Sequence, residues 1–180
     1  MKKTFLTIVV MACFISQMDA QVRFGIKGGL NFDNPKVDKL SSVEGSSGWH
    51  VGAMLQIMVP VIGLGVQPEA LYTVKNVEVV GKKSGIGYFE VPVNLRYDIN
   101  LLLLRPYITV GPYFGFVVNT SGEIKKDYIQ ENDWGIGVGG GLEIWKLYTG
   151  LRYSMGMKNI GKDGFEMKNR TFSVSIGYLF

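Results

Sequence analysis

Cysteine is almost missing from this chain: of 180 residues only Cys13 carries a thiol, so no intramolecular disulfide can form. Histidine is equally scarce, and a metal site around His50, the one histidine, would have to be built nearly wholly from carboxylates. Six prolines and 19% charged residues are too few for a disordered chain. Charge of one sign is also lacking. Setting aside Lys2, Lys3 and Asp19 of the first 20 residues, the 19 basic and 15 acidic residues fall to 17 and 14, a scattered excess too small to argue for nucleic acid. The apolar stretch from Phe5 to Ile15 is too short to cross a bilayer as a helix.

What the chain does have is 24 glycines, 9 tyrosines and 10 phenylalanines, which favour β structure with tight turns. At this length one domain with a full core is expected. Residues 1–20 read as a cleaved signal peptide: Lys2 and Lys3 supply a positive start, Phe5 to Ile15 the apolar centre and Ala20 the small residue before the cut. A lipoprotein cut before Cys13 is the weaker reading, because the apolar run continues through Phe14 and Ile15. The domain is then 21–180, which has no cysteine and must rely on backbone pairing and packing.

From Val22 onward a period of two recurs eight times, in residues 22–32, 48–59, 64–74, 87–98, 101–118, 133–145, 147–156 and 171–180. One face of each segment is apolar, as in Val22, Phe24 and Ile26 or Phe172, Val174 and Ile176. The other face mixes glycine with charged and polar residues: Arg23, Lys27, Glu69, Glu90, Arg96, Arg105, Glu143 and Arg152 all fall there. Connections alternate too. Long polar stretches at 33–47, 75–85, 119–132 and 157–170 face short links at 60–63, 99–100 and around Lys146. An even number of strands of about ten residues, with long and short connections in turn, predicts an all-β, eight-stranded antiparallel up-and-down transmembrane β-barrel. Such a sheet has to close, because hydrocarbon leaves no water for an open edge.

A soluble barrel or sandwich alternates as well. Two features oppose it here. Aromatics sit on the apolar face near strand ends (Phe32, Trp49, Tyr97, Trp134, Tyr153, Tyr178), as in the girdles of membrane barrels. The opposite face carries charges that a soluble core would not tolerate. With apolar side chains toward lipid and charges toward the lumen, both make sense. Pro68, Pro92, Pro106 and Pro112 lie inside proposed strands, so bulges or strand ends are expected at them.

The ordered set FGIKGGLNF, YFEVPVNLRY, RPYITVGPYFGF, GIGVGGGLEI, LRYSMGMKNI and SVSIGYLF resembles the outer-membrane β-barrel domain proteins of Gram-negative bacteria that include the PorT-type proteins. The resemblance spans essentially residues 21–180. It implies an eight-stranded barrel in the cell outer membrane, accounts for Pro92, Pro106 and Pro112 as parts of shared motifs, and implies little about function.

GIGVGGG at 135–141 invites a dinucleotide-loop reading, which needs a strand, the loop and then a helix. Here the glycines fall largely at alternate positions of a strand, suiting a wall kept small for long neighbours. No cofactor is expected. An enzyme would need a nucleophile beside a base, and Gly48 and Gly52 flank His50, so no activity is read from the spacing. The lumen charges, Arg23, Lys27, Glu69, Glu90, Arg96, Arg105, Glu143 and Arg152, are expected to form a sealed, salt-bridged interior rather than a pore, since eight strands enclose just enough room for side chains. A narrow solute pore and a barrel enzyme acting on lipid are the alternatives. The expected role is structural or interaction-based, through four surface loops that can meet a protein partner, with outer-membrane lipid around the barrel. Phe172, Val174, Ile176, Tyr178 and Phe180 resemble the C-terminal signal read by the barrel-assembly machinery during insertion.

Overall fold

The computed structural model describes residues 21–33, 36–37, 47–59, 61–79, 82–99, 101, 103–121, 132–157, 167–168 and 170–180. The proposed leader with Cys13 lies outside them, as does most of the connections at 33–47, 119–132 and 157–170. Among the described residues ten strands are formed: β1 (Gln21–Asp33), β2 (Lys36–Val37), β3 (Ser47–Val59), β4 (Leu64–Val79), β5 (Lys82–Asp98), β6 (Leu104–Ser121), β7 (Asn132–Ile144), β8 (Leu147–Gly156), β9 (Met167–Lys168) and β10 (Arg170–Leu179). Eight of them close into an antiparallel barrel in the order β1-β10-β8-β7-β6-β5-β4-β3, and β2 pairs with β9 as a separate two-stranded ribbon. Closure runs from Gly25 opposite Leu179 to Asp33 opposite Thr171. The sheet therefore has no free edge, as hydrocarbon requires.

The period of two decides which way each side chain points. Val22, Phe24, Ile26 and Leu30 of β1 face out and are exposed, while Lys27, Asn31 and Asp33 of the same strand are buried. The same inversion holds around the wall: Leu95, Ile108, Leu151 and Ile176 face out, and Gln56, Gln67, Asn94 and Arg96 face in, each at most 1% exposed. A polar inside and an apolar outside fit lipid as the surrounding solvent. Aromatics mark both rims of the apolar band. Phe32 lies against Phe172 and Trp49 against Tyr72 at the end with the longer connections, and Phe24 stacks on Phe180 at the other.

Three sequence expectations need correction. The stretch 75–85 is mostly strand: β4 continues to Val79, β5 begins at Lys82, and their ladder reaches Val79 opposite Lys82. Its lysines, glycines and valines gave no alternating apolar face, so the extended hairpin was not visible. The link at 99–100 is wider than two residues, with Ile99 N–H donating to Pro106 O and Leu101 N–H to Leu104 O before β6 starts. The prolines do not produce bulges. The register shift between β5 and β6 falls at Gly87/Tyr88. Pro68, Pro92 and Pro112 instead sit where one ladder skips two pairs and resumes in the same register: Leu55–Gln56 opposite Gln67–Pro68, Glu69–Ala70 opposite Val91–Pro92, and Val93–Asn94 opposite Gly111–Pro112. A missing N–H costs one local bond, and the neighbouring pairs hold the strand in place. Pro106, the third residue of β6, lies one place past the last β5–β6 ladder pair, Asp98 opposite Tyr107; its carbonyl accepts from Ile99 N–H and its missing N–H falls at that ladder end, as expected of a proline at a strand end.

The short turns are tight. Gly63, at φ 68°, closes the β3–β4 turn, where its N–H donates to Val59 O at 3.0 Å. Trp145 takes the corresponding left-handed conformation (φ 56°) in the β7–β8 turn and is 84% exposed at the barrel foot. Tryptophan there gives up some backbone ease for an aromatic at the membrane–water boundary.

Candidate lumen network and loop-side cavity

The lumen is filled at the short-turn end. Glu143 of β7 receives Arg23 of β1 (2.9 Å), Arg96 of β5 (2.6 Å) and the Gln56 amide of β3 (2.7 Å). Arg96 also donates to Asp98 at 2.5 Å and to Gln67 Oε1 at 2.7 Å, and its guanidinium lies 3.8 Å over the Tyr107 ring. Tyr107 stacks on Tyr148 with centroids 5.3 Å apart and, with Met54 and Leu179, forms an apolar plug against this network. The charges come from strands that are not all neighbours, so the network ties opposite walls together.

One level toward the loops, Lys27 pairs with Glu69 at 2.6 Å, and Glu69 also accepts from Gln67 (2.6 Å) and Asn94 (3.2 Å). Arg152 of β8 donates to Asn94 Oδ1 at 2.5 Å and to Ser154 Oγ at 3.1 Å. Its guanidinium fills the space left by Gly137, where a Cβ would come within 2.5 Å of Arg152 Cζ. Nearby, Gly141 makes room for the Tyr107 hydroxyl and Gly135 for the Tyr113 ring. The GIGVGGG glycines are thus part of a strand wall that admits bulky neighbours. At the loop end Lys75 meets Glu90 at 3.3 Å, Thr171 donates to Asp33, and Tyr113 to Asp133 at 3.3 Å.

Seven of the eight charges singled out in the sequence thus meet polar partners in the lumen. Arg105, half-buried near the start of β6 and in register with Glu143, makes no ion pair among the described residues. Sequence reasoning omitted Gln56, Gln67, Asn94, Asp98 and Lys75. The first four lie on the inward face, where alternation gives direction but not partners, and Lys75 falls in the stretch 75–85 that reads as a loop.

Above the network lies a small cavity of about 30 Å³, with Lys27 and Arg152 among its lining residues. His50 lies on its wall, 4% exposed, with both ring nitrogens engaged: Nδ1 is 2.8 Å from Asn31 Oδ1 and Nε2 is 2.9 Å from Ser175 Oγ. Sequence spacing hid this group, since Ser175 is 125 residues from His50 and reaches it only because β10 closes on β1. The five C-terminal residues singled out in the sequence, Phe172, Val174, Ile176, Tyr178 and Phe180, all face outward. Phe180 N–H donates to Phe24 O at 2.8 Å, and its ring meets Tyr178 edge-on at 5.4 Å.

The sequence matches the outer membrane protein beta-barrel domain over residues 5–180. No curated protein matches it. Several solved barrels share its fold. Neisserial surface protein A is 14% identical with a TM-score of 0.57, covering 87% of this chain and 97% of its own. The attachment invasion locus protein Ail of Yersinia pestis, solved with the heparin analogue sucrose octasulfate, is 17% identical with a TM-score of 0.52, covering 89% and 99%. The outer membrane enzyme PagL is 11% identical with a TM-score of 0.62, covering 86% and 98%. At these identities the likeness is one of fold, and the fold serves an enzyme as well as proteins of other kinds.

Proposed function

Since the chain belongs to the outer membrane protein beta-barrel domain family and sits in the outer membrane, we propose that it is a sealed barrel which carries a structural or interaction role at its loop end. The observation that supports this most is the cross-wall network of Arg23, Gln56, Gln67, Arg96, Asp98 and Glu143 above the barrel foot. Eight strands leave room for side chains and little else, and here the side chains occupy it. Buried charges of both signs are satisfied by one another, which keeps the plug in place. The narrower likeness to PorT-type proteins rests on the ordered motifs from FGIKGGLNF to SVSIGYLF and forms part of this reading. So do assembly through the C-terminal aromatic pattern, a surrounding of outer-membrane lipid, and a protein partner at the loops. No nucleic-acid partner is proposed.

Purified protein in planar bilayers tests the sealed lumen. No steady conductance is expected from the parent protein, and discrete openings are expected from Arg96→Ala, which removes the side chain that joins Glu143, Asp98 and Gln67. Steady conductance from the parent would replace this reading with a narrow solute pore.

A further inference from the structure

His50, Ser175 and Asn31 come from β3, β10 and β1, and their meeting is set by register. Gly29 of β1 is directly opposite His50 on one side and directly opposite Ser175 on the other. Having no side chain, it lets the imidazole lie across β1: a Cβ on Gly29 would stand 2.7 Å from His50 Cε1 and 2.9 Å from Ser175 Cα. Asn31, two residues further along the same face, meets the other ring nitrogen. Because Asn31 Oδ1 accepts, Nδ1 carries the proton, and the lone pair of Nε2 is left for the Ser175 hydroxyl. All three residues line the loop-side cavity. A hydroxyl, a base within hydrogen-bond reach and an amide that fixes the base are the parts of an activated nucleophile, as in the Cys-His-Asn arrangement of some proteases.

We propose that this group is an acyl-transfer site, with Ser175 as nucleophile, His50 as general base and Asn31 as the positioning residue, acting on small esters that enter the cavity from the loop side. Ser175 Oγ attacks the ester carbonyl carbon as its proton passes to His50 Nε2. The tetrahedral adduct collapses, the carbon–oxygen bond to the alcohol breaks, and the alcohol leaves with the proton from His50. Water then attacks the acyl-serine by the same route, releasing a carboxylic acid and restoring Ser175. Lys27, Lys75 and Arg152 are the cations on the wall of the same cavity; the first two are paired with Glu69 and Glu90, which leaves Arg152 Nη2, with no hydrogen-bond partner among the described residues, as the N–H donor for the developing oxyanion. A space of about 30 Å³ is on the scale of two waters or one acetyl group, so it suits only the shortest acyl esters and excludes a whole lipid.

The test uses the folded full-length barrel, its folding followed by heat-modifiable migration in gels. The probes are p-nitrophenyl acetate and phenylmethylsulfonyl fluoride. The parent should release p-nitrophenol and take up one sulfonyl group, mapped to Ser175 by mass spectrometry. Ser175→Ala and His50→Gln should each lose about 100-fold of that hydrolysis, while Ser173→Ala keeps it. Asn31→Asp should retain activity with the acid limb of its pH–rate profile moved to higher pH, because a carboxylate favours the imidazolium and the base must be neutral; an unmoved limb removes Asn31 from the group. An unlabelled Ser175 in the folded parent, or equal hydrolysis by folded Ser175→Ala, would overturn the proposal. Labelling of the parent needs no variant, so a misfolding substitution leaves the test decisive. Conductance and labelling are separate readouts, and this inference stands or falls apart from the sealed-lumen reading.

Discussion

Arg96 shows what one residue contributes when its surroundings are complete. It is fully buried, touches Asp98, Gln67, Glu143 and the face of Tyr107, and has no water to fall back on. Arg96→Ala leaves Glu143 with Arg23 as its one cation beside the Gln56 amide, and Asp98 without its guanidinium. Breaking a buried pair from one side costs about 3–5 kcal/mol, so the variant should unfold at clearly lower urea concentration in detergent micelles. Lys in the same place restores the charge and loses the fork that reaches Asp98 and Glu143 at once, so Arg96→Lys should recover only part of the loss. The sequence disclosed that Arg96 points inward, because alternation decides direction. It could not disclose the partners, which depend on how far long side chains reach across a closed wall. His50 is the sharper case: its bonding to Ser175 and Asn31 follows from two registers meeting at Gly29, and neither register is written in local spacing.

The strands were legible in proportion to how cleanly their two faces differ. β1, β3, β8 and β10 follow the period of two nearly throughout, whereas the β4–β5 hairpin extends through Lys75–Gly85, where small and polar residues blur the contrast. Bulges or strand ends are expected at prolines; Pro106 lies at a ladder end, whereas the ladders on either side of Pro68, Pro92 and Pro112 hold the register. β10 carries the proposed assembly signal at its end. Phe180 adds one seam bond to Phe24 and an aromatic contact with the same residue, while the nine register pairs between β1 and β10 are made by residues before it. Deleting Phe180 should therefore lower the amount of barrel recovered in the outer membrane severalfold, yet change the urea midpoint of whatever is inserted by little. Equal membrane levels of parent and truncated protein would remove Phe180 from the assembly signal.

For the molecule as a whole, the ion pairs among the described residues are enclosed and the apolar faces point out, so solvent ions reach few of these pairs. The ion pairs around Glu143 and Glu69 are buried, where salt screens weakly compared with its effect on exposed charges about 10 Å apart at 0.1 M. Raising NaCl from 10 mM to 1 M should shift the temperature of heat-modified migration by only a few degrees; a large downward shift would mean that ions enter the network. Architecture was the most legible level of all, since strand number, alternation and connection lengths survive errors in any one segment. The uneven filling of the lumen was not legible, because it depends on where side chains of different walls meet along the axis. On the sealed-lumen reading proposed above, that unevenness makes the barrel a cup and not a pipe. A cup exchanges with one compartment only: whatever settles in it must leave by the rim it entered, so the proposed loop-side site would work without joining the two sides of the membrane or dissipating any gradient between them.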